Sequence, residues 1–255
     1  MKQIVINGLS IGSGMPKICI PIVETTKEEI LKEAKLLSQL ECDIVEWRLD
    51  FYENILDNTQ VIELLKQLKK ILLHKVLLLT FRSHLEGGHQ KITTQQYAKI
   101  YENIIISNEA MLIDLEIFSQ KNIENLITLA HQNDVKVIGS HHNFLKTYSK
   151  EEIIHKFTLM KEMKCDIIKM ALMPNHQNDV LLFLEATSYA NSLLQMPIVS
   201  MSMGKLGLIS RLAGEIFNSC ITFGSRLKPS APGQIEYSKL KRVLEIIHEN
   251  GEIAK

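Results

Sequence analysis

Asp166-Ile167-Ile168-Lys169-Met170-Ala171-Leu172-Met173 is an apolar run with one ammonium in its middle. Its apolar and β-branched residues read as a buried strand. Downstream, residues 180–193 show helical spacing and residues 198–201 form another short apolar strand. Strand, helix, strand is the parallel crossover unit, and the rest of the chain repeats it. Further strands are predicted at 17–22, 44–49, 76–81, 111–115, 135–139 and 220–223. Helices are predicted at 27–39, 61–73, 95–106, 123–131, 150–163, 209–217 and 237–248. Eight strands, each followed by a helix, permit closure into a (β/α)8 TIM barrel, for which about 250 residues is typical. An open doubly wound sheet is the competing fold. It would want a Gly-rich turn after the first strand, and Pro21-Ile22-Val23-Glu24 is not one. Pro21 is expected at the end of its strand. Ile4–Ile11, two apolar runs around Asn7-Gly8, reads as an N-terminal β-hairpin. No linker interrupts the pattern, so residues 1–255 are expected to form one barrel domain, with the hairpin within 1–14 and a flexible active-site loop at 225–235.

Composition narrows the function. The 255 residues are 45% hydrophobic, with 29 basic and 29 acidic side chains and a pI near 7.1. That balance supports a sizeable core and argues against a nucleic-acid groove or a membrane-binding face. Cys19, Cys42, Cys165 and Cys220 lie singly beside apolar runs without metal-site spacing, so buried free thiols and no metal are expected. No signal-peptide core and no apolar run of about 18 residues is visible, which implies a cytoplasmic protein.

In a closed barrel, chemistry sits at the carboxyl ends of the strands, and the unusual polar residues fall there. A lysine inside an apolar strand is costly. It either snorkels to solvent or serves as an amine nucleophile able to form a Schiff base with a carbonyl. Glu46 and Arg48, two apart, share one face of a strand. Arg82 caps a very apolar strand as an anion clamp or a helix-end partner, and Glu86 follows in the loop. Asp114 and Glu116 also share a face, with capping, indirect and direct roles all open. His141 and His142 should point to opposite sides of an extended segment, so at most one enters the lumen, as a proton shuttle of near-neutral pKa. Met201 and Met203 could form an apolar wall that lowers the lysine's pKa. Arg211 is placed at a helix start, where cation and helix dipole could face an anion together. Ser230 and Gln234 are polar tips of the 225–235 loop. Scattered surface roles would not gather these residues at one end of the barrel.

The motifs Glu46-Trp47-Arg48-Leu49-Asp50, Thr80-Phe81-Arg82-Ser83, Ser140-His141-His142-Asn143-Phe144, Ile168-Lys169-Met170-Ala171, Met201-Ser202-Met203-Gly204, Ile209-Ser210-Arg211-Leu212-Ala213-Gly214-Glu215 and Ser230-Ala231-Pro232-Gly233-Gln234 resemble those of type I 3-dehydroquinate dehydratases, in order and from about Pro16 to the last helix. The resemblance implies a cofactor-free, homodimeric (β/α)8 lyase of the shikimate pathway. It would convert 3-dehydroquinate to 3-dehydroshikimate and water. It further implies that Lys169 forms the imine and His142 is the general acid/base. Glu46, Arg48, Arg82, Arg211, Ser230 and Gln234 would hold the substrate, Met203 and Phe223 would wall it, and Glu86 would support the histidine. Three positions depart from the pattern: Asn143 for a common aspartate, Gly204 for a common serine, and Pro21 for a serine in some members.

Two other functions fit parts of the sequence. A class I aldolase or transaldolase acting on a sugar phosphate could use Gly204, Gly207 and Gly224-Ser225-Arg226 to bind phosphate. A non-catalytic ligand-binding barrel would be expected to have lost Lys169 or His142, and both are present.

Overall fold

A computed structural model describes residues 3–228 and 230–251. The hairpin comprises β1 (Ile4–Ile6) and β2 (Leu9–Ile11), antiparallel about Asn7-Gly8, both with positive φ. Eight parallel strands follow: β3 (Lys17–Ile22), β4 (Ile44–Arg48), β5 (Val76–Thr80), β6 (Leu112–Glu116), β7 (Lys136–Asn143), β8 (Ile167–Leu172), β9 (Ile198–Ser202) and β10 (Ile221–Ser225). From β3 to β9 each pairs with the next, β3 pairs with β10, and just before β10 the Cys220 N–H donates to the Ile198 carbonyl of β9 at 2.8 Å. The fold is the predicted (β/α)8 barrel.

The connecting helices are α1 (Lys27–Ser38), α2 (Asn58–Ile71), α3 (Thr94–Ile106), α4 (Ile123–Gln132), α5 (Lys150–Glu162) and α6 (Gln177–Leu194), then α7 (Leu208–Leu212), α8 (Gly214–Phe217) and α9 (Tyr237–Gly251). Local chemistry fixes their starts: Thr26 and Asp57 cap α1 and α2, and capping boxes open α3 (Thr93, Gln96) and α5 (Ser149, Glu152). None of the described helices is long and apolar enough to cross a membrane.

Alternation along the strands sorts the side chains. On β4, Val45 and Trp47 pack outward under the helices, whereas Ile44, Glu46 and Arg48 take the other face. The lumen is apolar in its lower layers, where Cys19, Ile44, Leu78, Leu112, Ile138 and Ile167 meet Ile6 and Ile11 of the hairpin. Asn7 Nδ2 donates to the Leu73 and Lys75 carbonyls at 3.0 and 3.1 Å, fastening the hairpin beneath the barrel. Polar groups therefore have room only at the carboxyl end.

The structure moves several sequence-predicted boundaries. β7 runs to Asn143, four residues beyond its predicted end, because it pairs with β8 over that whole length. The 209–217 helix is two short helices separated at Ala213. Pro21 lies one residue inside β3. A two-residue strand β11 (Ile235–Glu236) beside β10 ends the 225–235 loop. Pro229, within that loop, lies outside the described residues.

Candidate active site

One pocket at the carboxyl end of the barrel brings together Glu46, Arg48, Arg82, Glu86, His142, Lys169, Met203, Arg211, Phe223, Ser230 and Gln234. Period-two alternation accounts for much of this. Ile138, Ser140 and His142 on β7 share a face, as do Ile167, Lys169 and Ala171 on β8. The pocket is also lined by Met201, the other methionine of the expected apolar wall, and by Thr80, Gly87, Phe144, Ala171 and Ala231, small or apolar residues with no signal in the sequence that set them apart from core.

Lys169 is buried with its amine 4.3 Å from the centre of the Phe223 ring and 2.9 Å from Asp114 Oδ2. Its surroundings are therefore not wholly apolar, as Met201 and Met203 alone would have made them: a carboxylate compensates the burial. Sequence reading left the role of Asp114 open, yet the residue is central. Its Oδ1 accepts from Arg82 Nη2 at 2.7 Å and from Ser140 Oγ at 2.6 Å. Burial alone would raise Asp114, but Arg82 and then Lys169 outweigh it and hold the carboxyl well below its usual range.

His142 lies near Glu86, which occupies a single 3-10 turn closed by Gly87 at φ 81°. Glu86 Oε2 lies 2.8 Å from His142 Nδ1 and accepts from the His142 backbone N–H at 3.0 Å. Burial would raise the Glu86 carboxyl, but hydrogen bonds from His141 and His142 keep it well below its usual range. An ionised carboxylate only accepts, so Nδ1 carries the imidazole proton and Nε2 carries the lone pair. The near-neutral pKa expected of His142 is corrected by the structure. Burial, with Arg82 second, pulls it down to about 3 against the opposing pull of Glu86. The His142 imidazole is therefore neutral in the physiological range.

The three arginines differ. Arg48 binds Asp50 through two bonds of 2.8 Å. Arg82 reaches Asp114, Glu116, Glu86 and Ser140 with its two terminal nitrogens. Arg211 is buried, touches the Phe223 and Pro232 carbonyls at 3.4 and 3.0 Å, and has no carboxylate partner among the described residues. Its Nε makes no hydrogen bond, and burial lowers its pKa to about 10. A buried guanidinium without a carboxylate partner, lining a pocket, has the chemistry to bind an anion. The helix-start placement expected for Arg211 is corrected: it lies in the last turn of the five-residue α7, so the dipole gives no help there. Ser230 and Gln234 bond each other, at 2.7 and 2.9 Å, at the pocket's edge. Arg226 is engaged with Glu33 and does not line the pocket.

A family model, "Type I 3-dehydroquinase", matches residues 18–251. This chain belongs to that family. A 3-dehydroquinate dehydratase of Bacillus subtilis is 44% identical over 252 residues, covering 98% of this chain and 99% of the relative. Among solved structures, the type I 3-dehydroquinate dehydratase of Clostridium difficile, crystallised with covalently modified comenic acid, superposes with a TM-score of 0.94 at 41% identity, covering 98% of this chain and 99% of that one. The 3-dehydroquinate dehydratase of Geobacillus kaustophilus gives 0.94 at 33% identity, covering 97% of each. The chain is thus a hydro-lyase, a dehydratase of type I acting in the shikimate pathway. Among the described residues of this type I dehydratase, no group of three or more His, Cys, Asp or Glu is placed to hold a metal.

Proposed function

We propose that this dehydratase converts 3-dehydroquinate to 3-dehydroshikimate and water through an imine on Lys169, with His142 as general base and then general acid. The observation that carries the reading is the buried Lys169 amine sharing a pocket with a neutral imidazole whose Nδ1 is committed to Glu86. The Lys169 ammonium gives a proton to His142, the neutral amine attacks the C3 ketone, and His142 returns that proton to the carbinolamine hydroxyl, which leaves as water to give an iminium. That cation withdraws electrons from C2, and His142 Nε2 takes the C2 proton to leave an enamine. The enamine pushes out the C1 hydroxyl as His142 returns its proton, releasing water. Hydrolysis of the conjugated iminium frees the product and the amine.

The substrate's carboxylate is assigned to Arg211, which has no anion of its own, with Ser230 and Gln234 beside it. Glu46, whose Oε1 accepts from Thr80 at 2.8 Å, and Arg48 and Arg82 are assigned to the ring hydroxyls, between walls formed by Met203 and Phe223. Arg211→Met is expected to raise KM by about 10²-fold, the worth of a charge-assisted pair in a buried site, with a smaller change in kcat. Steady-state kinetics at saturating substrate checks this. An unchanged KM would move the carboxylate elsewhere.

The homodimer and the cytoplasmic setting belong to the same reading and are supported by the sequence resemblance. The covalent step is tested by borohydride. Reduction in the presence of substrate or product should add the ligand's mass irreversibly to the peptide bearing Lys169, while the unreduced enzyme generates the near-ultraviolet absorbance of the enone. Turnover without a trapped adduct would overturn the imine.

A further inference from the structure

Glu86 meets two histidines. His142 Nδ1 lies 2.8 Å from one carboxylate oxygen, and His141 Nδ1 lies 3.3 Å from the other, which also accepts from Ser119. His141 does not line the pocket. Its ring stacks on Tyr148 at 5.7 Å and meets the edge of Phe118 at 5.2 Å. If both histidines were cations, the single charge of Glu86 would be divided between them. The neighbouring hydrogen bonds prevent that.

The direction of those bonds follows from Asn143. Its Oδ1 accepts from the Leu145 and Lys146 backbone N–H groups at 2.8 and 3.0 Å, a turn that fixes which way the amide points. Nδ2 therefore faces Tyr148 Oη, 2.7 Å away, and donates to it. The phenol's own proton has His141 Nε2, at 2.9 Å, as its acceptor among the described residues. A nitrogen that accepts carries no proton, so His141 is the neutral Nδ1–H tautomer and donates to Glu86. Lys146 and Lys156 are the other charged groups against this arm, with ammoniums 5.4 and 5.1 Å from the Tyr148 ring centre. Arg82, 3.4 Å from Glu86 Oε2, meets the same carboxylate from the lumen side.

We propose that Asn143, acting through Tyr148, sets the direction of hydrogen bonding into His141 and keeps it neutral, so that the charge of Glu86 is reserved for orienting His142. Asn143, Tyr148 and His141 are positioning residues that touch no reacting atom. The inference rests on the assignment of His142 as the base.

An aspartate at 143 reverses the chain. Its carboxylate would accept the phenol proton, the Tyr148 oxygen would then face His141 Nε2 as an acceptor, and His141 would gain a proton and compete for Glu86. In nitrogen-15 spectra of histidine-labelled enzyme near neutral pH, the wild type should show one protonated and one lone-pair nitrogen for His141, assigned by its loss in His141→Gln. Asn143→Asp should show both nitrogens protonated. Tyr148→Phe keeps the ring and removes the donor, so it should shift the Nε2 signal without protonating that nitrogen. Asn143→Asp should lose about 3- to 10-fold in kcat, the worth of one hydrogen bond, with KM within about twofold, whereas Tyr148→Phe, in which His141 gains no proton, should keep kcat within about twofold. Wild-type His141 signals in both variants, or wild-type kcat in Asn143→Asp, would overturn the proposal. Borohydride trapping separates this from the covalent reading: an adduct in all three enzymes with unchanged spectra defeats only the present inference, and no adduct in wild type defeats the imine.

Discussion

Replacing Lys169 by methionine should lower turnover by about 10³-fold or more and abolish borohydride trapping, while the protein still folds and still binds its product. On the proposed mechanism this removes the nucleophile outright, so no imine forms and the C2 proton has no adjacent electron sink to acidify it. Methionine keeps the length and apolar character of the lysine stem, and the contact with Phe223 survives. Asp114 loses one partner but keeps Arg82 and Ser140 at 2.7 and 2.6 Å, so it is not left as a bare buried charge. Arg211 is untouched, and in the proposed reading its guanidinium still meets the product's carboxylate. The measurements are single-turnover kinetics, intact mass after borohydride and product titration by calorimetry. Activity within about tenfold of wild type, or a persisting adduct, would remove Lys169 from the chemistry.

The largest stability effect is expected at Arg82. Its guanidinium pairs with Asp114, Glu116 and Glu86 at 2.7, 3.1 and 3.4 Å, all of them buried. Arg82→Met leaves three carboxylates around an apolar side chain and should cost about 3–5 kcal/mol, as removal of one partner from a buried pair does. Adding Glu116→Gln should recover part of that loss, because one stranded charge disappears. Denaturant midpoints measure both. A cost below about 1 kcal/mol would show that the carboxylates relax to solvent without the arginine.

Acid should act on the same network. Burial would raise Asp114 and Glu86, but Arg82 and the histidine hydrogen bonds hold them low, so the unfolded chain takes up protons first. Their contribution is complete above about pH 4, the ordinary carboxyl range, and is lost as pH falls below it. His142, held down to about 3 chiefly by burial, works in the same direction from its ordinary 6.5 downward. Glu116, raised by burial, opposes them by taking its proton in the folded state first.

Much of the fold is legible in the sequence because burial imposes a period. Runs such as Val76-Leu77-Leu78-Leu79-Thr80 have no polar face, which only a strand covered on both sides can use, and helical spacing between such runs implies the crossovers. The same reasoning places Glu46 with Arg48 and Asp114 with Glu116 on common faces. Ends of elements are less legible. Asn143 closes β7 because β8 pairs that far, a fact held in another strand.

By itself, then, the sequence determined the alternation that makes a barrel and the end of the barrel where a lysine, a histidine and arginines collect, because side-chain period and burial are local consequences of residue type. Only the tertiary structure decided the electrostatics. Nothing in Ile113-Asp114-Leu115 shows that its carboxylate meets Lys169, 55 residues on, nor does Arg211 reveal that it alone of the three site arginines lacks an anion. A charge's environment is set by groups from other strands and by the exclusion of water, neither of which is encoded at its own position. That is why a histidine expected to titrate near neutrality is held as a neutral imidazole, and why the lysine expected in an apolar wall stands beside a carboxylate.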